Sequence, residues 1–190
     1  MMAKGGARDE GPSSVLPDGD ELVRKASKGD NNAFVLLWEF FYPKILKYLR
    51  AFTREAEDLC SETWIKIASA IKGFPGDFQA FRAWIFTIAR NTALDHLRKL
   101  KRRGPHVEIE DGDWIHHDSS SVEITDLLDR LPAEQAEVIL LRVVVGFDVA
   151  QVARITQKSE ANVRVLAHRG LNKLQELLEA SGYVAKGGKA

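Results

Sequence analysis

Apolar residues recur every three or four positions over long stretches of this chain, which is typical of amphipathic α-helices. One such repeat, in EAEDLCSETWIKIASAI, runs through Leu59, Cys60, Thr63, Trp64, Ile67, Ala68 and Ile71. From residue 20 to about residue 103 no convincing period-two alternation interrupts the helical pattern. The first half of the chain is therefore predicted to be four helices, with a kink or bend where Pro43 interrupts the second.

Turn and capping residues organise the second half. Gly104-Pro105 ends the fourth helix, and residues 104–121 are predicted to be a flexible linker. Helical patterns resume near residue 122, and Asp148 with Gln151 forms a capping-box pattern. Ser159 is the expected N-cap of a last long helix. That helix is predicted to bury Val163, Leu166, Ala167, Leu171, Leu174, Leu177 and Leu178. The fold class is all-α, with two small helical domains.

Composition narrows the class of protein. The chain has 190 residues, 45% of them hydrophobic, and a formal net charge of zero. These values fit one or two globular domains. No apolar run approaches the ~20 residues of a membrane helix, and the N-terminus lacks the apolar core of a signal peptide. We therefore expect a cytoplasmic protein without membrane insertion. A single cysteine, Cys60, excludes an internal disulfide and a multi-cysteine zinc site.

The neutral total hides an uneven distribution of charge. Residues 81–103 carry seven bases and one acid, Asp95. The linker 104–121 holds five acids and no Lys or Arg, and residues 156–175 hold four bases and one acid. Two basic segments thus flank an acidic one, an arrangement that favours binding to nucleic acid.

The segment DVAQVARITQKSEANVRVLAHRG has the layout of a helix-turn-helix. The second helix of such a motif fits the DNA major groove, where its polar residues reach base edges and phosphates. The candidate DNA-binding residues here are Lys158, Ser159, Glu160, Asn162, Arg164, His168, Arg169 and Lys173. A helical hairpin with a solvated polar face is the alternative.

The basic end of the fourth helix also has two interpretations. Cations at a helix C-terminus can simply match the helix dipole. Together with nearby aromatic rings, they can instead hold single-stranded nucleic acid. Trp84 falls on the apolar face, so we expect it to pack in the core, whereas Phe74 and Phe78 are better candidates for base contact.

Catalysis is not expected from this sequence. Asp58 and Glu62 could form an acid/base pair, but no nucleophile, histidine partner or phosphate loop accompanies them. His116-His117 is a weak metal motif. We therefore predict neither enzymatic activity nor a cofactor or metal.

Taken in order, the motifs resemble the extracytoplasmic-function (ECF) sigma factors of bacterial RNA polymerase, of the sigma-70 family. EAEDLCSETWIKI is similar to the acidic helix of that family, and FRAWIFTIARNTALDHLRK to its F-x-x-WL-x-x-IARN-x-x-x-D-x-LR segment. LLDRLPAEQAEVILLRVVVGFDVAQVARI is similar to the entry into its DNA-binding hairpin. The resemblance covers about 20–103 and 122–179.

The resemblance implies a two-domain initiation factor. After an N-terminal tail, 1–19, region 2 would span 20–103, bind the β′ clamp helices of core polymerase and melt the minus-ten element. Region 4 would span 122–182 and bind the β flap and the minus-thirty-five duplex, with a tail at 183–190. The acidic linker would either thread toward the RNA exit path or serve only as a tether. A partner anti-sigma factor is also expected.

The resemblance assigns residues to each surface. Core-polymerase binding falls to Asp58, Glu62, Trp64 and Lys66. The minus-ten strand would be held by Lys72, Phe74, Asp77, Phe78, Arg82, Arg90, Asn91, Arg98, Lys99, Lys101 and Arg102, and the minus-thirty-five duplex by the hairpin residues already named.

The hairpin turn departs from the family pattern. Gln157 occupies the usual glycine position and Lys158 the usual apolar one, while Ala161 and Asn162 replace Gly and Thr. A left-handed backbone at Gln157 should cost roughly 1 kcal/mol relative to glycine. Ala136 stands where the family often has arginine. The alternatives to a sigma factor are a stand-alone helix-turn-helix regulator and an adaptor that binds polymerase without reading DNA.

Overall fold

The computed structural model describes residues 18–103, 127–128 and 130–180. The expectations for the acidic linker, for residues 1–17 and for the C-terminal tail lie outside these ranges, as does most of the helix predicted after residue 122. Within them every regular element of secondary structure is a helix, as the apolar periodicity predicts.

Four helices form the first group: α1 (Gly19–Ser27), α2 (Asn31–Arg50), α3 (Ala56–Ala70) and α4 (Phe78–Arg103). Asp18 and Asp30 cap α1 and α2 by accepting backbone N–H groups of Glu21 and Ala33. Helix α2 continues across Pro43. The ammonium of Lys44 donates to the Phe40 carbonyl in the preceding turn at 2.9 Å.

Aromatic rings from α2 and α4 fill the centre of this group. Phe41, Tyr48, Phe81 and Phe86 are all completely buried. The expected apolar stripe of α3 packs against them through Leu59, Cys60, Thr63, Trp64 and Ile67, although Ala68 is exposed. The first half of α4 is thereby fixed to its own helical group, while its C-terminal residues Lys101 and Arg102 lie on the surface.

The second group contains α5 (Ala133–Ile139), a π-helical segment (Leu140–Val144), α6 (Val149–Thr156) and α7 (Glu160–Ala180). The capping box of α6 is confirmed: the Asp148 carboxylate accepts from the Gln151 backbone at 2.7 Å, and the Gln151 side chain accepts from the Asp148 backbone at 3.0 Å. The expected N-cap of α7 is also present, with Ser159 Oγ accepting from Asn162 at 3.2 Å.

The buried face of α7 matches the prediction only in part. Val163 and Leu166 are buried, whereas four further predicted positions are half-buried: Ala167, Leu174, Leu177 and Leu178. Leu171 is 51% exposed, whereas Gly170 is buried. A Cβ on Gly170 would lie 2.9 Å from Cγ1 of Ile139, so this glycine allows α7 to approach α5 closely. The apolar contact therefore runs through Val163, Leu166 and Gly170, and Leu171 turns outward.

The two groups of helices also pack against each other, which the sequence did not predict. Helix α4 contacts α6, and the rings of Phe86 and Phe147 meet edge to face with centroids 5.1 Å apart. The buried residues of both groups form a continuous hydrophobic cluster. The same two groups are also joined by a polar layer of hydrogen bonds and an ion pair, described below.

Candidate nucleic-acid interface

The basic end of α4 presents a band of exposed side chains. Arg98, Lys99, Lys101 and Arg102 are all exposed, and they share a shallow surface depression with Asp95. Arg98 donates to Asp95 at 3.2 Å. Both members of that pair are more than half exposed, so the pair contributes little to stability and leaves the guanidinium accessible to a phosphate. Asn91, from the same sequence-based assignment, is exposed as well.

Arg82 and Arg90, from the same predicted set, lie elsewhere. Arg90 donates from Nε to Oε1 of Glu137 at 2.8 Å, and its side chain is only 14% exposed. Arg82 donates to the Val145 carbonyl at 2.8 Å and lies 4.5 Å from the centroid of the Phe147 ring. Both guanidinium groups thus face the second group of helices.

The electrostatics of these two arginines differ. Burial lowers the pKa of Arg82, and the carboxylate of Asp148 opposes this only in part. Burial also acts to lower the pKa of Arg90, but the charge of Glu137 and its hydrogen bond outweigh that effect and raise the pKa. The carboxylate of Glu137 therefore neutralises the charge of Arg90. The charge of Arg82 is stabilised mainly by carbonyl oxygens and by the face of an aromatic ring.

The aromatic residues before α4 pack inward rather than standing open. The rings of Phe74 and Trp84 stack with their centroids 4.9 Å apart. Phe78 is the first residue of α4, and the centroid of its ring lies 5.5 Å from that of Phe41. Both rings remain half-buried. Base contact by either ring would therefore use an edge or follow a rotation of the side chain.

The polar residues of this turn are more accessible. Lys72 is exposed, as is Asp77. The Asp77 carboxylate accepts the backbone N–H of Ala80 at 2.7 Å, so it caps the start of α4. This capping bond is sufficient to explain an aspartate at this position, without a contact to DNA.

The helix-turn-helix comprises α6, the turn at residues 157–159 and α7. Its predicted contact residues on α7 are all exposed: Glu160, Asn162, Arg164, His168, Arg169 and Lys173. Several of them pair along the helix. Arg164 donates to Glu160 at 2.7 Å and Lys173 to Glu176 at 2.9 Å. Because both pairs are exposed, they can exchange for phosphate or base contacts at small cost.

Lys158 departs from its predicted role. Its side chain is mostly buried and forms an ion pair with Glu134 of α5. An ion pair within the second group of helices therefore replaces the apolar contact that the family pattern implies at this position. Direct contact with DNA would require that pair to break.

The proposed polymerase-binding residues lie on α3. Asp58 is exposed, and Glu62 pairs with Lys66 at 2.8 Å. The hydrogen bond from Lys66 is the main reason that the pKa of Glu62 is lowered. Trp64 is a correction to the prediction: it is 6% exposed and packs edge to face on Phe34 at 5.9 Å. It lies on the apolar stripe of α3 and supports the helix from inside.

Sequence reasoning also missed a polar cluster between the two groups of helices. The Glu137 side chain, 1% exposed, accepts from Arg90 and from the Tyr48 hydroxyl at 3.0 Å. Gln151 Nε2 donates to Gln79 Oε1 at 3.1 Å. The sequence did contain one indication of this cluster. Glu137 precedes the apolar residues Val138 and Ile139 in α5, and a buried carboxylate requires a partner.

The helical architecture, the basic band and the helix-turn-helix define the class of this protein as an all-helical DNA-binding protein. Comparison with protein families is specific: the sigma-70 region 2 model matches residues 37–103, and the sigma-70 region 4 model matches residues 121–174. The chain belongs to the sigma-70 family, as a member of the ECF group, and acts in promoter-specific transcription initiation with RNA polymerase.

Individual relatives agree with this assignment. The chain is 30% identical over 171 residues to the ECF RNA polymerase sigma factor BldN of Streptomyces coelicolor, covering 83% of this chain but only 65% of BldN. It is 29% identical over 181 residues to the ECF sigma factor SigD of Mycobacterium tuberculosis, covering 86% of this chain and 85% of SigD.

Solved structures support the fold. CnrH, determined in complex with the cytosolic domain of CnrY, superposes with a TM-score of 0.64 at 22% identity, covering 86% of this chain and 99% of CnrH. The sigma factor RpoE of Bartonella quintana, determined with the anti-sigma factor NepR, gives a TM-score of 0.62 at 25% identity, covering 77% of this chain and 96% of RpoE. None of the described helices has the length and apolar character of a membrane span.

Proposed function

We propose that the two groups of helices divide promoter recognition between them. Region 2, residues 20–103, binds core polymerase and holds the melted minus-ten element, and region 4, residues 122–182, binds the minus-thirty-five duplex. Residues 104–121 connect them, and 1–19 and 183–190 are tails. The observation that carries this proposal is the division of α4 into a buried aromatic half and an exposed cationic end.

The cationic end is suited to a single strand. Arg98, Lys99, Lys101 and Arg102 extend from a helix whose first half is packed into the core, so their backbone positions are set before DNA arrives. A cationic surface follows the phosphates, and nearby rings stack on the bases. Extruding a base costs a few kcal/mol, which phosphate contacts and the half-buried Phe74 would offset.

The minus-thirty-five contact uses the N-terminal half of α7. Ser159 caps the helix, and Glu160, Asn162 and Arg164 occupy its first exposed turns. These side chains can accept from cytosine, bond adenine and reach guanine, respectively. His168, Arg169 and Lys173 lie farther along the helix and would contact phosphates.

The polymerase contact uses two acidic residues of α3, one exposed and one half-buried. Asp58 and Glu62 lie one helical turn apart, with Lys66 a further turn along. They would bind the β′ clamp helices while region 4 binds the β flap. The protein contributes binding and positioning and is not itself an enzyme, and it works in the cytoplasm beside polymerase. Because RpoE of Bartonella quintana was determined with an anti-sigma factor, a similar inhibitor is expected here.

Reconstituted run-off transcription with core polymerase and a genomic DNA library tests the function and identifies the promoter. The decisive variant is the double change Arg98→Ala and Lys99→Ala. Its matched control is Arg24→Ala with Lys25→Ala, which removes the same two residue types from the exposed face of α1, where both pair with Glu21.

We expect the α4 variant to lose promoter opening and the α1 variant to keep it. The loss of two phosphate contacts to a single strand should also reduce the magnitude of the slope of log binding constant against log salt by about 1.4. Equal activity of the two variants on duplex and on pre-melted templates would refute the role assigned to the basic end.

A further inference from the structure

Arg90 is bound as a DNA phosphate would bind it. Glu137 of region 4 accepts from Nε at 2.8 Å and from Nη2 at 3.5 Å, each bond ending on a different carboxylate oxygen. Carboxylates and phosphates both match the planar fork of a guanidinium in this way. The Tyr48 hydroxyl donates a third bond to the carboxylate at 3.0 Å. An arginine proposed for the minus-ten strand is therefore already occupied.

Neighbouring contacts hold the same arrangement. Arg82 donates to the Val145 carbonyl at 2.8 Å and lies over the Phe147 ring. Gln79 accepts from Gln151 at 3.1 Å. Each contact joins a residue of region 2 to one of region 4. Two of the proposed strand-binding arginines, Arg82 and Arg90, are thus withdrawn from solvent by the same packing.

We propose that Glu137 is an intramolecular substitute for a DNA phosphate, and that it holds the free protein in a closed arrangement from which Arg90 must be released before the promoter strand can bind. This inference rests on the proposed role of region 2 in holding the strand. Strand binding and the contact between regions 2 and 4 then compete for one guanidinium. A protein free of polymerase binds single strands weakly for that reason.

The chemistry of the contact suits a reversible closure. A buried ion pair gains little net stability, because the attraction between its charges is offset by the loss of their hydration. Opening rehydrates both Arg90 and Glu137, so neither charge is stranded in a dry interior. Contacts between domains of one chain behave like transient interfaces. The Tyr48 hydroxyl remains a donor, since burial and the neighbouring Glu137 charge raise its pKa.

The test compares Glu137→Gln with Glu21→Gln in the full chain. Both changes remove one carboxylate charge that an arginine binds, but the Glu21–Arg24 pair is exposed and lies within α1. The probe is fluorescein-labelled oligothymidylate, and its dissociation constant is measured by anisotropy. We expect Glu137→Gln to bind about three- to tenfold more tightly, since the apparent affinity rises with the fraction of open protein. Glu21→Gln should match the unchanged protein.

A second variant and a double variant isolate the mechanism. Tyr48→Phe removes only the third bond, and it should tighten binding in the same direction by a smaller factor than Glu137→Gln. In an Arg90→Gln background, Glu137→Gln should give no further gain, because the residue that it releases is absent. An unchanged dissociation constant for Glu137→Gln, or a gain that persists without Arg90, would overturn the proposal.

Covalent closure supplies an independent measurement. Gln79→Cys and Gln151→Cys should be joined by a bis-maleimide with a reducible spacer, which reaches the buried position 151 when the regions transiently separate. The link should then keep the regions together, and the native Cys60 is buried within region 2. We expect the linked protein to lose oligothymidylate binding and to regain it after reduction. Unaltered binding by the linked protein would also overturn the proposal. A different result would contradict the proposed function itself. That result is unchanged strand binding both in the double variant Arg98→Ala, Lys99→Ala and in the variant Arg90→Gln.

Discussion

Gln157 adopts a left-handed backbone conformation, with φ 56° and ψ 36°, in the turn between α6 and α7. Among the described residues it is the one non-glycine position whose φ lies in the left-handed region. The backbone N–H groups of Gln157 and Lys158 both donate to the Ala153 carbonyl, as in the glycine-ended helix caps. The helix end is therefore formed in the usual way but with a residue whose Cβ is strained. We predict that Gln157→Gly stabilises the protein.

The magnitude follows from two opposing effects. The left-handed conformation costs an L-residue roughly 1–2 kcal/mol. Glycine recovers that strain but loses more backbone freedom on folding, which costs about 0.5–1 kcal/mol. The expected gain in the free energy of unfolding is therefore about 0.5–1 kcal/mol. The exposed position of the side chain means that its removal should cost little packing.

Urea unfolding followed by circular dichroism measures this gain, and an unchanged slope would show that the same surface is exposed. Gln157→Ala is the matched control, because it removes the side chain while keeping the Cβ and therefore the strain. Gln157→Asn should fall between the two, since asparagine tolerates the left-handed region. A glycine variant no more stable than the alanine variant would refute the reasoning.

Three further predictions concern α3, the packing of α7 and the cap of α6. Gly170→Ala should lower the free energy of unfolding by about 1–2 kcal/mol, because the new Cβ would lie 2.9 Å from Ile139 Cγ1 and overpacking exceeds the gain in helix propensity; a more stable variant in urea unfolding would contradict this. Asp148→Ala should cost about 1 kcal/mol and Asp148→Asn much less, since asparagine still accepts from Gln151; equal losses would exclude the cap as the cause. Burial, and secondarily the charge of Glu57, raises the pKa of Cys60 from 9.0 to about 11. Its contribution to stability is therefore complete below pH 9.0 and is lost as the pH rises through about 11. Cys60→Ala should reduce the loss of stability over that interval, as measured by unfolding at a series of pH values, and an identical loss would contradict the assignment.

Local features of the fold were predictable from the sequence because their partners are close along the chain. The capping box at Asp148 and Gln151 spans three residues, as does the cap of α7 at Ser159. The expectation that Gln157 would be strained if its backbone were left-handed also depended only on local geometry, because glycine is usual at that position of the turn. The DNA-binding assignments themselves remain predictions.

Features that depend on distant partners were not predictable in this way. Leu171 was expected to be buried, but the close approach of α5 at Gly170 turns the contact face of α7 away from it. Trp64 was assigned to polymerase because it neighbours an acidic pair, whereas its own position on the apolar stripe buries it. Arg90 and Glu137 are 47 residues apart, and nothing in either local sequence specifies the other.

The polar layer between regions 2 and 4 explains how one chain can be both compact and able to open. An entirely apolar contact would favour closure in proportion to its area and would expose a hydrophobic surface whenever it separated. Here the rings of Phe86 and Phe147 meet, and the same interface also contains the Arg90–Glu137 pair and the Gln79–Gln151 hydrogen bond. Water can solvate these polar groups once the regions separate. The glutamate sets the geometry of the closed state, and its loss would leave Arg90 without a counter-charge, which favours opening. A DNA phosphate of the same geometry can therefore take the place of the carboxylate.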